Sequence, residues 1–152
     1  MAANAAASVP LRDLAPLLAS MRPALNVGVY VFAVLPPGSD VAGLEPLASF
    51  REIEGVTVIL TEPHARAAGL KILFRASWIT LSVHSDLHAV GLTAAVAHAL
   101  TRANIPCNVV AAAHHDHLFV PVEAAHVALE ALLALQRESA DLLESGGAPV
   151  RR

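Results

Sequence analysis

The chain has 152 residues, 55% of them apolar and only 15% charged, which supplies a packed core and excludes an extended disordered chain. Ten basic against thirteen acidic residues leave a net charge of -3, so no basic surplus points to nucleic acid or to an anionic membrane surface. The longest apolar run, Val27 to Leu35, stops at Pro36-Pro37 and is too short to span a bilayer; the mean hydropathy of +0.56 owes much to alanine. The opening MAANAAASVPLRD lacks the early Lys or Arg and the apolar stretch of a secretion signal, so a cytoplasmic protein is expected. The single Cys107 excludes an internal disulfide and a cysteine zinc cage. Eight histidines are many for this length.

Residues 1–9 are alanine-rich and read as a mobile tail. Leu11, Leu14, Leu17, Leu18 and Met21 recur at helical spacing and predict a helix over 10–22, weakened by Pro16. Val29 to Leu35 reads as a strand. Leu47–Ile53 and Val56–Leu60 read as a hairpin turning at Glu54-Gly55. A short helix over 64–70 and a strand near 71–75 follow. Trp78 to His84 alternates: Ile79, Leu81 and Val83 face one way, Trp78, Thr80, Ser82 and His84 the other. Ser85 or Asp86 can cap a helix over 88–103. Strands at 107–113 and 117–122 are expected around a turn at His115-Asp116. A helix over 123–139 turns Ala124, Val127, Ala128, Ala131, Leu132 and Leu135 inward. The tail 141–152 is polar and turn-rich.

The two halves carry the same order of elements, the first in reduced form. The expected domains are 10–76 and 77–140, each a split β-α-β-β-α-β unit, an α+β, ferredoxin-like architecture with antiparallel sheet and helices on one face. The second copy lacks its last strand. Either the first half or another chain must supply it, because a bare sheet edge is a liability.

The segment WITLSVHSDLHAVGLTAAVAHALTRANIPCNVV (78–110), followed by a hairpin and an amphipathic helix, resembles the ACT domain, the small amino-acid-sensing module of metabolic regulation. It is most similar to stand-alone tandem ACT proteins of bacteria, related to the paired ACT domains of aspartate kinases. Val90 stands where ACT loops often carry proline before the glycine, and Pro106 offers no backbone N–H. The resemblance implies a small amino acid or related metabolite bound in the loop after the first ACT strand, between ACT units, with no catalysis. A homodimer is expected, with no nucleic-acid or membrane partner and no cofactor.

The residues themselves make that loop chemically suitable. A helix N-terminus near Gly91 offers free N–H groups and partial positive charge to a carboxylate, and Asp86 can meet an ammonium. The candidate ligand contacts are Ser85, Asp86, Leu87, His88, Ala89, Val90 and Gly91, with Asn108 and His117 as supporting polar groups. The plainer reading makes Ser85 or Asp86 a cap and Gly91 a packing residue. If His115-Asp116 turn the hairpin, His114 and His117 face each other across the ladder. With His84 they form a corner able to hold a divalent ion, the rival reading of a metal-dependent enzyme. Edge histidines with ordinary hydrogen bonds are the plainer account there. A third reading is a structural module that docks a partner through Trp78 and Phe119. Cys107 has no base positioned by spacing, and no glycine-rich phosphate loop occurs.

Overall fold

The computed structural model of the chain describes residues 13–83 and 87–146. In chain order they form α1 (Leu14–Ser20), β1 (Arg22–Leu25), β2 (Tyr30–Leu35), β3 (Ala48–Arg51), β4 (Val56–Thr61), α2 (Glu62–Ala67), β5 (Ile72–Ser82), α3 (Leu92–Arg102), β6 (Asn108–Ala111), β7 (Asp116–Pro121) and α4 (Ala125–Glu144). Single 3-10 turns lie at Ala42–Leu44 and Val122–Ala124.

The helix expected over 10–22 stops at Ser20, and the next four residues form β1. Pro23 explains the stop: it disfavours the helical region for Arg22 before it, and Met21 is already extended at φ -60, ψ 132. β1 lies antiparallel on the end of β5, Arg22 opposite Ser82 and Leu25 opposite Ile79. This is the strand that the second half lacked, supplied by the first part of the same chain.

The two expected strands at 71–75 and 78–84 are one. β5 runs unbroken for eleven residues through the expected domain boundary at 76/77. Its beginning pairs with β2, its later part with β7 on one edge and with β1 on the other. The first unit therefore consists of β2, the first 3-10 turn, β3, β4, α2 and the start of β5. The second consists of the rest of β5, α3, β6, β7, α4 and β1. Each has its strands in the same lateral order within the continuous antiparallel sheet β3-β4-β2-β5-β7-β6. The chain is an α+β, ferredoxin-like tandem, and its first copy is reduced to a 3-10 turn and a six-residue helix.

Alternation along the strands gives the sheet two apolar faces. On the helix-bearing side of the second unit, Ile79, Leu81 and Val83 pack with Leu118 and Val120 under α3, α4 and α1, where Leu17, Met21, Leu100 and Leu132 have no exposed surface. On the same side of the first unit, Val31, Ala33, Val58 and Leu60 meet Ala65 of α2. The other side carries Tyr30, Phe32, Phe74, Trp78 and Phe119 around Ile59 and Ala76. Edge-to-face contacts join Phe32 to both Phe74 and Phe119, at 5.8 and 5.4 Å between ring centroids. This helix-free aromatic cluster draws on both units.

Two further differences have local causes. α4 enters through the 3-10 turn, which resets its phase: Ala125, Ala128, Leu132 and Ser139 are buried, while Val127 is 55% exposed instead of inward. The helix also continues to Glu144, past the expected end at 139. Glu62 at the start of α2 ties that helix to β5, accepting from Arg75 Nη2 at 2.9 Å and from Arg66 Nε at 3.0 Å. The hydrogen bonds from Arg75 and then Arg66 hold its carboxyl below the usual range.

Candidate functional site

The junction between β5 and α3 is where the sequence placed its ligand loop. His84, Ser85 and Asp86 lie outside the described residues. Leu87 and Val90 are 67% and 83% exposed, Ala89 rests against the core, and His88 is exposed. The helix begins at Leu92 rather than 88, so the capping position belongs to Gly91 and not to Ser85 or Asp86. Gly91 has φ +103 and accepts from Ala95 N at 2.9 Å. A helix cannot run through that conformation, which is why the residues before it are not helical. A Cβ on Gly91 would come within 3.0 Å of Leu14 Cδ2, so the same glycine lets α1 close against the junction. Gly91 has no side chain to cap the first N–H groups of α3, and they remain suited to an anion.

Asp116 is the residue that the sequence reading missed here. It was expected in a turn. The turn is instead Ala112 to His115, closed by Ala112 N donating to His115 O at 3.0 Å, and Asp116 opens β7 opposite Leu81 and Ala111. It shares parity with Leu118 and Val120, hence the helix-bearing face, and lies in the last β5–β7 row before the chain leaves for the junction. Its residue surface is only 8% exposed, and no side-chain hydrogen bond or ion pair satisfies its carboxylate among the described residues. Burial pushes its carboxyl up, against the pull of the neighbouring His117 and His115. Its oxygens still reach solvent, whereas the nearby His115 Nδ1 is fully buried without a partner. A partly desolvated carboxylate with no positive partner is disfavoured in its charged form and is relieved by a cation. The alternation Asp116, Leu118, Val120 was the available signal.

Asn108 and His117 sit elsewhere. Both are on the helix-free face, opposite α3. Asn108 is at the far end of β6, three residues from the row of Asp116, roughly 10 Å along the strand. His117 pairs with Thr80 and Val110. Its Nδ1 accepts the indole N–H of Trp78 at 3.1 Å and lies 3.3 Å from Thr80 Oγ1. Asn26 continues the network, donating from Nδ2 to Thr80 Oγ1 at 2.9 Å. Because an indole N–H only donates, Nδ1 is the acceptor and the ring proton resides on Nε2. Burial, then the neighbouring His115, holds His117 below the usual imidazole range, with Asp116 opposing.

The turn at Ala112 to His115 also separates the histidines. His114 is exposed at the tip and does not face His117. Among the described residues no three His, Cys, Asp or Glu side chains converge. Burial raises the Cys107 thiol to about 11, which keeps it protonated and a poor nucleophile.

The first unit repeats the strand-to-helix junction after β2. There a cavity of about 230 Å³ is lined by Gly38, Ser39, Arg51, Glu52 and Val56. Arg51 is exposed on β3, and Glu52 accepts from Thr57 Oγ1. A guanidinium and a carboxylate thus flank the loop that corresponds to 84–91.

Comparison with known proteins agrees with the tandem. Two models of the ACT domain match, one over residues 10–77 and one over 73–134, overlapping inside β5. A Vibrio cholerae protein of unknown function, described as a possible transport protein, is 47% identical; the match covers 80% of this chain and 94% of that one, with a TM-score of 0.73. An Agrobacterium tumefaciens protein shares 14% identity over 76% of this chain and 89% of its own, at a TM-score of 0.63. The regulatory subunit of aspartate kinase from Thermus thermophilus shares 10% over 74% and 95%, at 0.55. These last two likenesses bear on the fold alone. No curated protein matches the sequence. No helix among the described residues is long and apolar enough to cross a membrane.

Proposed function

The chain belongs to the ACT-domain family, and from that premise we propose that it is a regulatory module that binds a small amino acid. ACT domains are regulatory rather than catalytic units, and the solved structures of similar fold include regulatory subunits of aspartate kinase. The observation that carries the reading is the unpaired, nearly buried carboxylate of Asp116 beside a solvent-exposed strand-to-helix junction. One side of that junction suits an ammonium, and the start of α3, which Gly91 does not cap, suits a carboxylate. In this reading Asp116 joins Asp86 at the ammonium, and the backbone of Leu87 to Gly91 meets the carboxylate. Asn108 and His117, on the other face, are no longer assigned to this ligand. A cytoplasmic homodimer remains part of the proposal: the outer edges of β3 and β6 pair with no strand among the described residues, and a second copy can cover them.

The test is a thermal-shift screen of the twenty amino acids. A ligand at 100 times its Kd adds about 2.7 kcal/mol of stability. Asp116→Asn is expected to abolish the shift while leaving the unliganded protein at least as stable, because it removes a charge that burial disfavours. If no amino acid at millimolar concentration raises the melting temperature, or if Asp116→Asn still responds, the reading fails.

A further inference from the structure

The helix-free face holds a second cavity that the amino-acid reading does not use. It measures about 150 Å³ and is lined by Leu47, Ala48, Val110, Ala112, His117 and Phe119. Leu47 and Ala48 come from the start of β3, Val110 and Ala112 from β6 and its turn. These strands are the two ends of the sheet. Their presence on one cavity means that the sheet curls, with the helix-free face inside, until the first and second units meet across this space.

The lining decides what fits. Five of the six side chains are hydrocarbon, and no charged group is among them. An amino-acid zwitterion would bury both of its charges uncompensated, which is strongly unfavourable. The one polar group is His117. Its Nδ1 is occupied by the Trp78 indole N–H, which places the proton on Nε2, and Nε2 has no hydrogen-bond partner among the described residues. That Nε2–H is the one side-chain donor the lining residues can offer. An apolar protein cavity of about 150 Å³ accommodates a benzene-sized molecule.

We propose that this space is a second binding site, for an uncharged, ring-sized or branched aliphatic molecule carrying a single oxygen acceptor that takes the Nε2–H of His117. The ligand would bridge β3 of the first unit and the β6–β7 hairpin of the second. The mouth is accessible: Leu47 is 43% exposed and Ala112 is exposed. The site is independent of the junction at α3, on the opposite face of the sheet, and stands or falls apart from it.

Trp78 is the chain's only tryptophan and donates to the cavity's histidine, so its indole N–H resonance reports on this place alone. Titration of the intact protein with cyclohexanone is expected to move that resonance saturably. Ala112→Leu, at the exposed rim, should abolish the saturable shift with no loss of fold. Ala48→Leu, deeper inside, should do the same. His117→Leu should weaken binding three- to tenfold, as expected for one lost hydrogen bond. Cyclohexanecarboxylate, of similar size but charged, should bind at least tenfold more weakly than the ketone. A shift that rises linearly without saturation, or a saturable shift that survives Ala112→Leu in a folded protein, overturns the proposal.

Discussion

Trp78 and His117 show how one hydrogen bond sets a protonation state. The indole donates to Nδ1 at 3.1 Å, so a proton arriving at Nδ1 would set two donors against each other. Burial and the neighbouring His115 push in the same direction, and Asp116 opposes them. The folded-state pKa is thus below that of the unfolded chain, about 6.5. The stabilisation is fully present above that value and is lost as pH falls towards the folded pKa, because the unfolded state takes the proton first. Asp116, with its carboxyl raised by burial, acts oppositely and at lower pH: the folded chain holds that proton longer and gains stability as pH falls. The melting temperature of wild type minus that of His117→Gln should therefore be largest above pH 7 and shrink as pH falls below about 6.5; a difference independent of pH would refute the assigned tautomer. Gly55 sets a different constraint. A Cβ there would lie 2.3 Å from Leu35 O and 2.8 Å from Val34 Cγ1. The first of these is backbone held in the β2–β4 ladder, so it cannot swing away. Gly55→Ala should cost about 1–3 kcal/mol, as overpacking does, lowering the melting temperature by roughly 2–4 °C for each kcal/mol. An unchanged melting temperature would show that the hairpin end yields freely.

Among the elements, β1 and α1 carry the most unexpected role. Leu17 and Met21 are fully buried and Leu18 is 7% exposed. Three such side chains contribute roughly 4–9 kcal/mol, as an upper estimate, against a total of about 5–15 kcal/mol for a typical domain. Deleting residues 1–26 should therefore remove cooperative unfolding of the second unit and expose the β5 edge from Ile79 to Ser82. Calorimetry and dye binding would show this, and a truncated chain that melts like the full one would refute it. This contribution was hard to read in the sequence because RPAL has no alternation, and a proline inside it argues against a strand. Its strand character comes from pairing with residues some sixty positions later, and Pro23 is tolerated because β1 pairs only on one edge. By contrast, the hairpin at Glu54-Gly55, the alternation through Ile79, Leu81 and Val83, and the helix stripe of Leu92, Val96 and Leu100 were legible, since their periods are local. β5 reads as two strands in sequence because Arg75, Ala76 and Ser77 interrupt the apolar run between Phe74 and Trp78; the register shift against Phe32 and Ala33 lies before them, between Ile72 and Phe74. At the site, the exposed loop and Gly91 were legible from spacing. Asp116 was not: a run of three histidines and an aspartate reads as a turn, and one residue of turn placement decides which face a carboxylate occupies.

At the scale of the whole molecule, the tandem is joined by a strand that both units own and by an aromatic cluster in which Ile59 of the first unit and Phe119 of the second flank Ala76. Neither half can open without exposing part of the other. Scanning calorimetry should show one transition with equal calorimetric and van't Hoff enthalpies; two resolved peaks would mean that the halves melt as independent bodies. The same sharing imposes an order on biosynthesis. Arg22 leaves the ribosome early, yet its mate Ser82 follows after about sixty more peptide bonds, roughly 3–12 s at ordinary translation speeds. During that interval the earliest-made strand has no ladder to join, and the last stretch of helix to be synthesised arrives on a module whose opening segment has only just been seated.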